Sequence, residues 1–221
     1  MQPTPFTFGG EAFTALPSGA LWWEGASVLV VADLHLGKSQ RIARRGGALL
    51  PPYDSAETLT RLTADIDQTA PTTVISLGDG FDDMTAAGEL GEAADVLRDL
   101  TARTDWLWVA GNHDPEPISL GGRSVDEIAL GGIAFRHIGG GAGPEISGHY
   151  HPKAALSLRH RRLVSPCFAM SDTRLVMPAY GTYTGGLSVL DPAIQGLFDT
   201  PAKVILTRAP GHTIPVERLC A

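Results

Sequence analysis

His149 and His151 stand two positions apart in SGHYHP. On an extended chain that spacing puts both imidazoles on one face, with Cα atoms about 6.6 Å apart at ~3.3 Å per residue. They can reach one metal ion or two neighbouring ions. An isolated pair of this kind reads more readily as a polar surface turn, so the rest of the chain must decide. Three further clusters bear on it: Asp33 and His35 in DLH, Asp79, Asp82 and Asp83 in GDGFDD, and Asn112, His113 and Asp114 in GNHD. Carboxylates, imidazoles and an amide are oxygen and nitrogen ligands without thiolate, a set that suits Mn²⁺, Fe or Zn²⁺ better than Mg²⁺ or Ca²⁺.

These clusters need a scaffold that brings them together. ASVLVVAD, TTVISLGD and WLWVAGNHD are apolar runs that read as buried strands, each giving way to one polar cluster. Between them lie two helical patterns. DSAETLTRLTADID has Asp54 and Glu57 in capping-box positions and an apolar stripe of Leu59, Leu62 and Ile66. Around residues 88 to 103, Leu90, Ala93, Leu97 and Leu100 form a second amphipathic face. Alternating strands and helices imply right-handed crossovers and a parallel sheet. In such sheets ligands bind beyond the carboxyl ends of the strands, so three polar ends aim at one crevice. Capping and turn formation explain any one Asp. They require neither His at two of these ends nor Gly immediately before Asp79, Asn112 and His149. From about residue 125 the pattern becomes strands without long helices: IALGGIAFRH, EISGHYH, RLVSPCFAM, TRLVMPAY and AKVILTRA. The expected fold is therefore α/β, with two mixed sheets packed as a sandwich and flanked by helices, in one domain over residues 1–221.

In this order the motifs D-x-H, G-D-x-x-D, G-N-H-[DE], a lone His and G-H-x-H resemble those of the calcineurin-like metallophosphoesterases. The resemblance runs from Asp33 to beyond His151. It implies an αββα sandwich and a pair of divalent cations, Mn²⁺ first, with Fe or Zn²⁺ as alternatives. Asp33, His35 and His151 would hold one ion, Asn112, His137 and His149 the other, with Asp79 bridging. His137, which follows IAFR twelve residues before His149, takes the place of the lone His. His149 and His151 would then each serve a different ion of a pair about 3.5–4 Å apart. Asp82 would support a ligand rather than be one, and Asp83 competes for that place. Two divalent cations exceed the charges of Asp33, Asp79 and a bridging hydroxide by one, which favours an anionic phosphate ester. Metal would lower the pKa of water towards about 7 and supply an in-line nucleophile. His113 would protonate the leaving alkoxide, with Asp114 orienting its ring. VADLHLGKS, GHYHP, Cys167 with Phe168, and LVMPAYGTYTGG are similar to a small bacterial branch, the ligase-associated DNA damage response endonucleases. That similarity implies DNA as substrate and DNA repair proteins as partners. A phosphomonoesterase or nucleotide hydrolase with the same metals is the alternative activity, and a protein-binding scaffold the non-catalytic one.

Composition narrows the partners. A net charge of −7 over 221 residues disfavours tight nonspecific binding to a polyanion. Local cations could still guide one. Lys38, Arg41 and Arg45 share a helical face after the first motif, where they would engage flanking phosphates or serve only as solvated surface charge. LRHRRL supplies Arg159, Arg161 and Arg162. No aromatic-interleaved basic surface for base stacking stands out, and the tryptophans read mainly as core. His160 and His212 read as surface histidines, and HIGGGAGPE as a mobile loop. Cys167 and Cys220 read as reduced thiols. Without a basic, apolar leader pattern or a run of about 18 apolar residues, a cytoplasmic protein outside the membrane is expected. Self-association is left open.

Overall fold

Short strands paired in sequence order build the first sheet. β1 (Thr4–Phe8), β2 (Glu11–Ala15), β3 (Leu21–Trp23) and β4 (Val28–Val31) run antiparallel to one another. β5 (Thr73–Leu77), β6 (Asp105–Val109) and β7 (Arg123–Val125) continue from β4 in parallel. This computed structural model describes residues 2–47, 50–114, 119–158, 161–208 and 213–220. α1 (Lys38–Arg44) follows β4, α2 (Asp54–Thr69) leads into β5, and α3 (Ala86–Glu89) and α4 (Glu92–Arg103) precede β6.

Among the described residues the second sheet has eight strands. β8 (Ile128–Leu130), β9 (Ile133–Arg136), β10 (Glu145–Ser147), β11 (Lys153–Leu158) and β12 (Arg161–Met170) are followed by β13 (Arg174–Val176), β14 (Lys203–Leu206) and β15 (Thr213–Pro215). Their order is β15-β14-β12-β13-β10-β9-β8, with β11 on the first half of β12. Among the described residues of this sheet, only the β9–β10 and β10–β13 pairs are parallel. A short α5 (Pro192–Gln195) packs outside this sheet.

Strand alternation assigns the layers. Leu29 and Val31 face Leu59, Leu62, Ile66, Leu97 and Leu100 of α2 and α4, forming the helix-side core. Val28 and Val30 point the other way, into an inter-sheet core with Ile75, Phe135, Ile146 and Phe168. The outer face of the second sheet buries Ala169, Val204 and Leu206 with Ile194 of α5. Helix, sheet, sheet, helix is the resulting order. Each fully buried aliphatic side chain contributes roughly 1.5–3 kcal/mol.

The first sheet is mixed, as expected: β1 to β3 add an antiparallel half to the parallel strands β4 to β7. Two other expectations are corrected. The capping box does not form: α2 is preceded by Tyr53 without a side-chain cap, and Asp54 instead accepts from Ser39 N–H at 3.1 Å and Ser39 Oγ at 2.5 Å. Donors on α1 outcompete the helix's own N–H groups. The glycine run 139–143, read as mobile, is anchored by the buried carboxylate of Glu145, which accepts from Gly140 and Gly141 N–H at 2.7 and 2.9 Å. Arg174 Nε lies 3.3 Å from the same carboxylate. Trp23, Trp106 and Trp108 are core residues, as read. No helix among the described residues is long and apolar enough to cross a membrane.

Candidate metal centre

Five strand ends deliver the polar residues to one place. Asp33 and His35 follow β4, Asp79 and Asp82 follow β5, Asn112 and His113 follow β6, His137 follows β9, and His149 and His151 follow β10. The chain turns sharply at these ends. Among the described residues eight non-glycines have positive φ, and five are Asp33 (54°), His35 (45°), Asp79 (47°), His149 (70°) and His151 (47°). Such conformations cost about 1–3 kcal/mol each and persist where surrounding structure holds them, typically at functional sites. The preceding glycines allow the close packing. A Cβ on Gly111 would lie 2.1 Å from Asp79 N, and one on Gly148 would lie 2.6 Å from Asp33 Oδ2.

The side chains meet at separations that donor atoms sharing one ion would have, ~3.0–3.5 Å for bonds of ~2.1 Å. His151 Nε2 is 3.3 Å from Asp33 Oδ1 and 3.4 Å from His35 Nε2. His137 Nε2 is 3.2 Å from His149 Nδ1, 3.5 Å from Asp79 Oδ2 and 2.9 Å from Asn112 Oδ1. The structure thus gathers Asp33, His35 and His151 into one cluster and Asp79, His137 and His149 into another. Asp79 Oδ2 also lies 3.9 Å from His35 Nε2, placing that carboxylate between them.

Tautomers sharpen this geometry. His137 Nδ1 donates to Leu77 O at 3.0 Å, which leaves its Nε2 with a lone pair aimed at three other acceptors. Burial holds the pKa values of His35 and His149 below the ordinary histidine range. Their lone pairs are therefore free at neutral pH. Asp33 and Asp79 are buried, and among the described residues every side chain paired with them is an imidazole rather than a Lys or Arg. Two buried carboxylates ringed by imidazoles, with no Lys or Arg on either among the described residues, suit cations, because an uncompensated buried charge costs several kcal/mol. The residues fit a pair of divalent ions.

Asp82 has a different environment. Its Oδ1 lies 2.9 Å from His35 Nδ1, favouring the tautomer that exposes the Nε2 lone pair to the site. Lys38 Nζ reaches the same oxygen at 3.2 Å, and Arg41 Nε contacts Oδ2. Although burial acts against it, contacts from His35, Arg41 and Lys38 hold this carboxyl well below its usual range. A third cluster of His35, Asp82 and His113 also has metal-like spacing, but the two side-chain cations on Asp82 already neutralise it. Asp83 instead pairs with Arg44 at 2.7 Å, which separates the two neighbouring aspartates.

Two expected roles change. Lys38 and Arg41 turn inward to Asp82 instead of outward to a substrate, because a fully buried carboxylate competes more strongly than solvent. Arg45 caps α1 and stays exposed. Asp82 O, not Asp114, receives His113 Nδ1, at 2.8 Å. Asp114 accepts from Phe81 N–H at 3.0 Å, and burial pushes its pKa up to about 6. His113 Nε2 lies 4.0 Å from Asp79 Oδ2 on a side chain 30% exposed, at the mouth of the site.

Residues that the sequence left unassigned lie close by. Tyr180 N–H donates to Ala32 O at 2.8 Å and Gly181 N–H to Asp33 O at 3.0 Å, so the segment PAYGTYTGG packs on the strand end that carries Asp33. Arg61, Lys153, Tyr183 and Arg208 line a groove along this segment. Only their wide separation in sequence hid them. Arg161 and Arg162 are exposed, whereas Arg159, His160 and His212 lie outside the described residues.

A family model for calcineurin-like phosphoesterases matches residues 26–179. The solved nuclease MPE of Pseudomonas putida is similar over 97% of this chain and 100% of its own, at 26% identity and a TM-score of 0.73. YfcE, a phosphoesterase from E. coli, aligns over 86% of this chain and 98% of its own, at 12% identity and a TM-score of 0.42. No curated protein gives a significant match.

Proposed function

We propose, on the premise that this chain belongs to the calcineurin-like phosphoesterase family, that it is a two-metal phosphodiesterase of the nuclease type, cytoplasmic and acting on DNA in repair. Asp33, His35 and His151 hold one divalent ion and Asn112, His137 and His149 the second, with Asp79 between them. Mn²⁺ is the ion proposed, with Fe or Zn²⁺ able to occupy the same donors. The single observation that carries this reading is the pair of buried carboxylates, Asp33 and Asp79, facing imidazoles with no Lys or Arg on either among the described residues. Similarity to a nuclease over the full length supports a diester substrate.

When bound, the ions supply a water-derived nucleophile and positive charge for the phosphate oxygens. The chain's own residues do the rest. Asp82 fixes the His35 tautomer and, through its carbonyl, holds the Nδ1 proton of His113. His113 Nε2 then carries the proton that passes to the leaving oxygen, and its partial exposure lets a substrate reach it. Asp79 accepts the His113 N–H at 2.9 Å, which fixes the acid's backbone to the centre.

The test is turnover of bis(p-nitrophenyl) phosphate against added Mn²⁺, alongside a monoester and an oligonucleotide. Diester turnover with about two bound metals per chain is expected. Absence of turnover with Mn²⁺, Fe²⁺ and Zn²⁺ would overturn the reading.

A further inference from the structure

The segment from Tyr180 to Gly186 has the candidate metal centre on one side and open space on the other. A Cβ on Gly181 would sit 2.1 Å from Leu34 O, and one on Gly186 would sit 2.2 Å from His151 O. The segment's bare backbone therefore lies against both the Asp33 strand end and His151. Its outer side walls a cleft of about 520 Å³, within the range of ligand pockets. Arg61, Lys153 and Arg208 line this cleft against one carboxylate, Glu57.

The charges are arranged for an outside partner. Among the described residues, none of Arg61, Lys153, Arg162 and Arg208 forms an ion pair, whereas Lys38, Arg41 and Arg44 all do. In a chain of net charge −7, such a cluster stands against the overall balance. Lys153 is opposite Pro166, Ala155 opposite Val164 and Ser157 opposite Arg162, and opposed residues share a sheet face. Arg162 therefore extends the Lys153 face of the β11–β12 hairpin beyond the cleft. Internal contacts hold the inner cations in place: Lys153 Nζ donates to Thr184 O at 3.3 Å, and Arg61 stacks 4.7 Å from the Tyr180 ring centre and bonds Tyr180 O. Tyr183, at φ 61°, is 40% exposed beside them. Aromatic faces set in a basic groove are what strand-tracking surfaces use.

We infer that this groove carries the nucleic-acid strand to one side of the scissile phosphate, with Lys153, Arg208 and Arg162 on backbone phosphates and Tyr183 stacked on a base. The inference rests on the phosphodiesterase reading above. It reverses the expectation that no basic surface is interleaved with an aromatic, since these residues meet only in the folded chain.

Fluorescence anisotropy of a labelled single-stranded phosphorothioate 12-mer on the Mn²⁺-loaded protein tests it. Lys153→Gln/Arg208→Gln should bind at least about tenfold more weakly and lower the salt slope by about 1.4, at ~0.7 per phosphate contact. Tyr183→Ala should weaken binding about tenfold with the slope unchanged. Double-variant affinity within twofold of wild type, at an unchanged slope, overturns the inference. Should the double variant not fold, Arg208→Glu alone on this exposed residue gives the same two outcomes. Wild-type turnover of the small diester without groove-dependent strand binding sinks the groove alone. Loss of small-diester turnover in wild type sinks the catalytic reading on which it rests.

Discussion

On the α1 flank of the centre, Lys38 and Arg41 converge on the buried carboxylate of Asp82, while on the opposite flank Lys153 and Arg208 have no carboxylate partner among the described residues. Both flanks are basic, and both adjoin residues of the candidate centre. The difference shows that closeness to a site does not make a cation available to substrate. A buried acid within reach turns the charge inward and makes it part of the scaffold. Where no acid is in reach, the charge stays open to whatever enters.

The largest expected effect removes what the flanks share. Asp79→Ala should lower diester turnover by about a thousandfold or more and reduce bound Mn²⁺, as read by initial rates and elemental analysis. On the α1 flank alone, Asp82→Asn should cost about 10–100-fold in metal affinity or activity, because His35 loses the group that fixes its tautomer. Arg41→Gln should act in the same direction and more weakly. It should raise the Mn²⁺ concentration for half-maximal rate several-fold while the oligonucleotide KM stays within about twofold. A raised KM at an unchanged metal requirement would make α1 a substrate clamp and break the comparison.

The smallest effect concerns what braces the groove flank. Tyr180 OH donates to Asp65 Oδ2 at 2.9 Å, and burial raises the Asp65 pKa above the ordinary carboxylate range. As pH rises through the interval between those two values, the unfolded chain loses its proton first, so this group's contribution to stability falls. Asp65→Asn has no such proton to lose. Its melting temperature relative to wild type should therefore shift upward from pH 4 to pH 7 in thermal denaturation. An unchanged difference across that range would remove Asp65 as the titrating brace.

Much of this architecture was legible in the chain. Val28–Val31 and Val74–Leu77 are buried runs whose apolar character announces central strands, and the Leu59, Leu62, Ile66 stripe faces the core as its spacing predicts. β1 and β2 carry a weak signal because TPFTF and EAFTA are short and mix polar with aromatic residues, and the first contains a proline. The dense motifs DLH, GDGFDD, GNHD and GHYH carry their own signal, and His137 was placed only by its order among them. The roles of the cations could not be read at all. Arg41 and Asp82 are 41 positions apart, and Tyr180 and Asp65 are 115 apart, so each pairing depends on the completed sandwich. Even GNHD misled at one point, because Asp114 looks like the partner of His113 until the carbonyl of Asp82 arrives from another strand end.

The span from Tyr180 to Gly186 belongs to the groove and to the loops of the candidate metal centre at once, hydrogen-bonded to Asp33 and pressed against His151. Sharing one wall makes the two compartments thermodynamic partners. Whatever factor cation loading adds to the hold on a strand, the bound strand must return in its hold on the cations.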